Sequence, residues 1–298
     1  MSRVAYRKPA LIYQEQLDQL KNRGLLVQDD AKAMHLLAQV SYYRLSGYWY
    51  PLLSDKRTHQ FKPGSTFETA FRLYCFDREL RKLVSAELEK IEVAVRAQMI
   101  YVLSHTYGPF WFADQALFAN GVTHAKTMAS LTTEYGRSDE EFINAFQQNY
   151  TDPLPPSWML LEIASFGSLS MLYKNLVAGH AKRRIANQFG LDEKTFTSWL
   201  HSIVYLRNTC AHHGRLWNRA MSIQPRIPRK PQKKWLTSQT VNNDRTYFAL
   251  SMILFLLQTV NPKHRFLKKL DSLFSSYPEI DKAAMGFETG WQKEPLWQ

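Results

Sequence analysis

Apolar residues recur at three- and four-residue spacing along almost the whole chain, and sustained period-two alternation is missing. The pattern predicts an all-α protein. Its clearest element opens with the capping-box pattern Ser65-x-x-Glu68 after Pro63-Gly64. Phe67, Phe71, Tyr74, Leu80, Leu83, Val84, Leu88, Ile91, Val95, Met99 and Val102 then fall along one side, until Gly108-Pro109 stops the run. Shorter helices are expected at Tyr13–Arg23, Asp30–Arg44, His124–Tyr135, Asp139–Gln148, Ser157–Leu176, Asp192–His213, Asp244–Thr259 and Lys263–Phe274. Asp152-Pro153-Leu154-Pro155-Pro156 is a stiff connector, and Ser157 is placed to cap the helix after it. A Pro-rich basic connector, Gln224 to Pro231, precedes the last two helices. This organisation suggests an N-terminal helical subdomain over 1–62 and a helical bundle over 63–298. No linker clearly divides the two, so one continuous domain is the alternative.

Length and composition change the picture little. The 298 residues are enough for a proper core, and 45% hydrophobic with 21% charged residues is ordinary for a globular chain. Charge changes it more. The formal net charge is +12, which favours polyanionic partners, nucleic acid first. Most of the excess lies between His180 and Lys234, where Lys182, Arg183, Arg184 and nine further cations face only Asp192 and Glu193. Cys75 and Cys210 are too few for a thiolate zinc site or a disulfide framework, and both fall in apolar surroundings. The Met1–Pro9 stretch lacks the apolar run of a signal peptide, and Tyr247–Val260 is too short to span a bilayer. A cytoplasmic protein with no membrane contact is expected.

Inside the basic region the chain reads Leu206-Arg207-Asn208-Thr209-Cys210-Ala211-His212-His213-Gly214-Arg215-Leu216-Trp217-Asn218-Arg219. Arginine is a permanent cation that grips phosphate, and histidine, with an unperturbed pKa of about 6.5, moves protons near neutrality. An Arg-to-His spacing of this kind is weak by itself, and three features strengthen it. Phe196, Trp199, Leu200, Ile203 and Arg207 share helical spacing, so Arg207 is expected on the inward stripe, against a partner or cavity. Asn208 and His212 are i and i+4, and Gly214 suits the position after the C-cap, leaving both histidines in a last turn whose dipole favours imidazolium. Arg215, Trp217 and Arg219 follow at once, a cationic and aromatic setting suited to single-stranded RNA.

The Arg-Asn-x-x-x-His string resembles the R-x(4–6)-H signature of HEPN ribonucleases. The longer context resembles the Abi-like abortive-infection proteins of the AbiD/AbiF type. The stretches that carry this are Lys8–Leu11 with Gln14–Leu17, Ser41–Trp49, Leu73-Tyr74 with Phe76–Arg81, Ile91–Arg96, Trp158…Glu162…Ser165-Phe166-Gly167, and Arg207–Arg219. The resemblance implies a HEPN-like helical bundle and a role in phage defence or toxin–antitoxin biology. It also implies metal-independent RNA cleavage without a cofactor. Carried over by position, Arg207, Asn208 and His212 take the catalytic roles, with His213 a spare imidazole. It further implies a homodimer, because such sites are completed by two facing motifs and this chain carries one. In that chemistry His212 acts as general base on the ribose 2′-OH, Arg207 bears charge on the phosphorus, and Asn208 orients one of them. The expected products are a 2′,3′-cyclic phosphate and a 5′-OH.

Glu92 and Arg96, i and i+4 on the long helix, form either an ion pair or part of the cleft. Glu162, on an otherwise apolar helix, is a candidate partner for Arg207. Tyr42, Tyr43, Tyr48, Trp49 and Tyr50 read more readily as packing than as base-stacking residues. His-Glu-x-x-His, Walker A, Gly-x-Ser-x-Gly and Gly-x-Gly-x-x-Gly patterns do not occur. The alternative to a nuclease is a non-catalytic module that holds a non-coding RNA. A nuclease harmful to its host needs restraint, by an antitoxin protein, a structured non-coding RNA or a subunit rearrangement.

Overall fold

The computed structural model describes residues 5, 7, 9–238 and 241–298, so Lys8 and most of the Met1–Pro9 stretch lie outside the described residues. The fold is all-α, with twelve α-helices and one two-stranded hairpin among the described residues. The chain divides into two compact units, one ending at Leu80 and taking in Leu273–Ile280, the other made of Arg81–Ser272 and Asp281–Gln298.

The first unit contains α1 (Tyr13–Asn22), α2 (Asp30–Val40) and α3 (Tyr42–Trp49), then the antiparallel strands β1 (Leu53–Asp55) and β2 (Gln60–Phe61). The start of α4 (Phe67–Tyr107) and the end of α12 (Phe266–Ser276) also belong to it. Leu17, Leu20, Leu37, Leu45, Trp49, Phe61 and Phe67 form its core. The single helix expected over Asp30–Arg44 is broken at Ser41, whose φ of 71° leaves the helical region and whose hydroxyl caps α3 by accepting from Arg44 N. Three of the five aromatic residues are packing, with Tyr48 and Trp49 buried and Tyr42 against the core, while Tyr43 and Tyr50 are exposed. The long helix is present, but its cap is not the one the sequence suggests. Thr66 Oγ1 accepts from Thr69 N at 3.0 Å, while the Ser65 hydroxyl donates to Leu52 O.

The second unit holds the rest of α4 with α5 (Gly121–Gly136), α6 (Glu141–Asn149), α7 (Ser157–Ile163) and α8 (Phe166–Asn175). It continues with α9 (His180–Gln188), α10 (Glu193–Ala211) and α11 (Thr246–Val260). Leu80 through Val102 bury one α4 stripe as the periodicity predicts, and α11 is buried on every side from Thr246 to Leu257, the mark of a central helix. The helix expected over Ser157–Leu176 is two helices, because Ser165 adopts an extended backbone and N-caps α8 through Ser168 N. Ser157 does not cap α7; it is fully buried with its hydroxyl 2.7 Å from that of Ser104. Helix α10 packs through Phe196 against Tyr173 and Phe189, and through Trp199 against Phe255 and Trp235. The Pro-rich segment is docked on it: Trp199 Nε1 donates to Arg226 O at 2.8 Å, and Arg226 N donates to Ser198 Oγ at 2.9 Å. Among the described residues no helix is long and apolar enough to cross a membrane.

Candidate active site

Asp192 starts α10 by accepting from Lys194 N and Thr195 N. The other end closes on a Schellman motif, with Gly214 N donating to Thr209 O at 2.8 Å and His213 N donating to Cys210 O at 3.0 Å. His212 is therefore the C-cap, and His213, with φ 56°, is the left-handed residue after it. The sequence pattern assigned that position to Gly214. Glycine serves a different purpose here, since a Cβ on Gly214 would stand 3.1 Å from Thr209 O and 3.1 Å from Thr209 Cγ2.

Arg207 does not lie on the inward stripe. Its side chain is 48% exposed, and the buried positions at this end of α10 are Leu206, Thr209 and Cys210. Phe196 occupies a similar azimuth and is packed against Tyr173 of α8 and Phe189 just past α9, but Arg207 lies ~16 Å farther along the axis. Asn208, His212 and His213 are exposed as well. The three proposed catalytic side chains thus stand together on the open end of one helix.

The guanidinium of Arg207 is held at its base by α4. Glu92 Oε2 lies 3.9 Å from Arg207 Nε, and Glu92 Oε1 accepts from Arg96 Nη2 at 3.0 Å. Arg96, itself buried, donates through Nη1 to Ala164 O at the α7–α8 break, 3.0 Å away. Asn208 Oδ1 accepts from Arg207 Nη1 at 3.4 Å. A half-exposed pair at 3.9 Å adds only ~0–1 kcal/mol, so its effect is on orientation rather than stability. Arg96 is a buried charge met by both a carboxylate and a carbonyl, the condition under which such a charge is tolerated. Glu162 takes no part. It is exposed and lines a cleft with Glu134, Arg137 and Glu140, so the carboxylate beside Arg207 is Glu92.

The turn after the helix is anchored from three sides. Arg81 Nη1 donates to Gly214 O at 3.3 Å, Thr246 Oγ1 donates to Leu216 O at 2.9 Å, and Arg219 lies over the Tyr205 ring at 5.6 Å. Trp217 is only 3% exposed, so its indole is a core group and offers no stacking face to RNA. Lys182 is also engaged, its ammonium donating to Lys174 O and Leu176 O at the end of α8. Burial draws the Lys182 pKa below its ordinary value, against the opposing pull of Glu193. Arg183 stays exposed, 3.9 Å from Glu193, and Arg184 sits over the Tyr101 ring at 5.8 Å. Arg215 is half-buried in the anchored turn. Among the described residues, no three His, Cys, Asp or Glu side chains group as metal ligands.

A profile of the Abi-like protein family matches residues 35–218, well over half of the chain. The chain belongs to the Abi-like family. The matched region runs from α2 to the turn that follows His213, so it contains every residue of the Arg207 site and its Glu92–Arg96 support. Membership points to phage defence by abortive infection. No curated protein and no solved structure matches this Abi-like chain. Two supports of the site carry no local sequence signal: the approach of Glu92 to Arg207 and of Arg81 to Gly214 both join positions more than a hundred residues apart.

Proposed function

We propose that this Abi-like protein is an endoribonuclease of the HEPN kind, acting as a defence effector or toxin in abortive infection. One observation carries the reading: Arg207, Asn208 and His212 are solvent-facing on one helix end, with the arginine steered by a carboxylate that is itself fixed to a buried arginine. His212 removes the proton from the ribose 2′-OH, and the 2′-oxygen attacks the adjacent phosphorus. Arg207 stabilises the negative charge that builds on the phosphoryl oxygens. The 5′-oxygen leaves with a proton, giving a 2′,3′-cyclic phosphate and a 5′-OH. No metal is called on, because RNA supplies its own nucleophile.

A second copy of the chain completes the site, its His212 being the general acid for the leaving oxygen. Support for this pairing comes from an unusual stripe on α4. Val93, next to Glu92, is 58% exposed, and Ala97 and Tyr101 continue the same face at i+4 and i+8, Tyr101 at 52%. An antitoxin or a structured RNA keeps the effector silent in the uninfected cell.

The test is cleavage of labelled RNA by purified protein with EDTA present. Arg207→Ala should lower the rate ~10²–10³-fold, and His212→Ala ~10²–10⁴-fold, with RNA binding largely retained. DNA of the same sequence should survive. A wild type that binds varied RNAs tightly and cuts none of them would make this site an RNA-holding module instead.

A further inference from the structure

A cavity of about 340 Å³ opens in the first unit between α2 and the first turns of α4, well away in sequence from the Arg207 site. Leu36, Phe67 and Phe71 supply its apolar walls, and Cys75 and Tyr277 close it. Its size falls in the range of small-ligand sites, and its lining is mostly apolar with few polar groups. One of those polar groups is left without a partner. Glu68 Oε2 is buried and has no hydrogen-bond partner among the described residues.

The usual uses of a glutamate at this point are all taken up otherwise. The helix is capped by Thr66, so Glu68 is not the return arm of a capping box. Ser65 N already donates to Lys62 O, and Phe67 N to Leu26 O. Arg72, the i+4 cation that would ordinarily pair with Glu68, turns away: its Nε holds Glu279 at 2.5 Å and its guanidinium covers the Tyr277 ring. The Lys32 ammonium, on the exposed rim, makes no ion pair with it. A carboxylate oxygen without a donor is costly, and Glu68 lines the cavity, so a ligand seated there can supply one.

We propose that this cavity binds a small organic amine, its aromatic or branched-alkyl body against Leu36, Phe67 and Phe71 and its protonated nitrogen on Glu68 Oε2. The site owes nothing to the nuclease reading and stands or falls separately from it.

The probe is phenethylamine, titrated calorimetrically into the full-length protein, with 3-phenylpropionate as the anionic counterpart of similar shape. Saturable one-to-one binding of the amine is expected, with a Kd on the order of 1 mM or tighter, and none of the acid. Glu68→Gln should weaken the amine at least about tenfold. Leu36→Trp, which fills the cavity and leaves the carboxylate, should abolish binding while the protein still melts cooperatively. The amine should also slow alkylation of the half-buried Cys75 by iodoacetamide, with the buried Cys210 as internal reference. Absence of saturable binding to the wild type overturns the proposal. So does equal affinity of Glu68→Gln, or of the acid.

Discussion

Glu92 divides its two oxygens between a buried arginine and an exposed one, and the two halves of that arrangement respond differently to substitution. Glu92→Gln keeps the shape and an acceptor for Arg96 but removes the charge. Arg96 would then lie buried against neutral groups, a loss of ~1–3 kcal/mol as a partly satisfied buried charge. Arg207 would lose its steering partner, and RNA cleavage should fall by roughly tenfold, one power of ten for ~1.4 kcal/mol of misplaced transition-state contact. Measured where both proteins are fully folded, an unchanged cleavage rate would separate Glu92 from the site. A different residue contributes to the loss of stability in mild acid. His264 Nδ1 accepts from Phe266 N at the start of α12, which requires the neutral ring. Burial holds its pKa below the ordinary value, with Glu87 opposing and Lys90 assisting. Between the folded and unfolded values the unfolded chain binds the proton and the native one does not. Stability is therefore lost as pH falls below about 6.5, until the folded value is passed. His264→Asn keeps an acceptor and cannot titrate, so its Tm should drop less than the wild type's between about pH 7.5 and about pH 5.5.

The end of α10 is the element on which the site depends, and it is held by packing rather than by propensity. Gly214→Ala would press a methyl against Thr209 O, the acceptor that closes the Schellman motif. A loss of ~1–3 kcal/mol is expected, visible as a lower Tm, with reduced cleavage because His212 is the cap of the same turn. A Tm equal to wild type would show that the turn yields freely. Elements of this kind also mark how far the sequence could be read. Long apolar periodicity is local information, and it placed α4 and α11 closely. Breaks set by one residue were hidden, because Ser41 and Ser165 interrupt helices whose apolar pattern continues across them. The β1–β2 hairpin is too short for its period to register, and α9 carries only Ala181, Ile185 and Ala186 as buried positions, too few apolar residues to mark a stripe. At the site, the chemistry-bearing residues were legible as a string, but their burial was not. Arg207 shares an azimuth with Phe196, and only the tertiary cover distinguishes them.

At the scale of the whole molecule, the basic region is less available than its sequence suggests. Lys182 is engaged by two carbonyls, Lys233 by the Thr259 hydroxyl and Arg219 by the Tyr205 ring, so part of the excess charge is structural. What a single chain lacks for the proposed reaction is a second imidazole opposite the first, and the open α4 stripe stands beside Glu92, where a second copy would bring one. Val93→Glu places a charge in the middle of that stripe and should give a monomer by light scattering, with cleavage lost although Arg207 and His212 remain. Coexpression distinguishes a shared site from a self-sufficient one. When wild type and the Arg207→Ala/His212→Ala double variant are made in equal amounts, random pairing leaves about a quarter of the dimers wholly wild type. If both copies build one site, activity per total protein should be about a quarter of the all-wild-type value rather than about a half. A value near one half, with dimers confirmed, would place a complete site in each chain and leave the α4 stripe to another purpose.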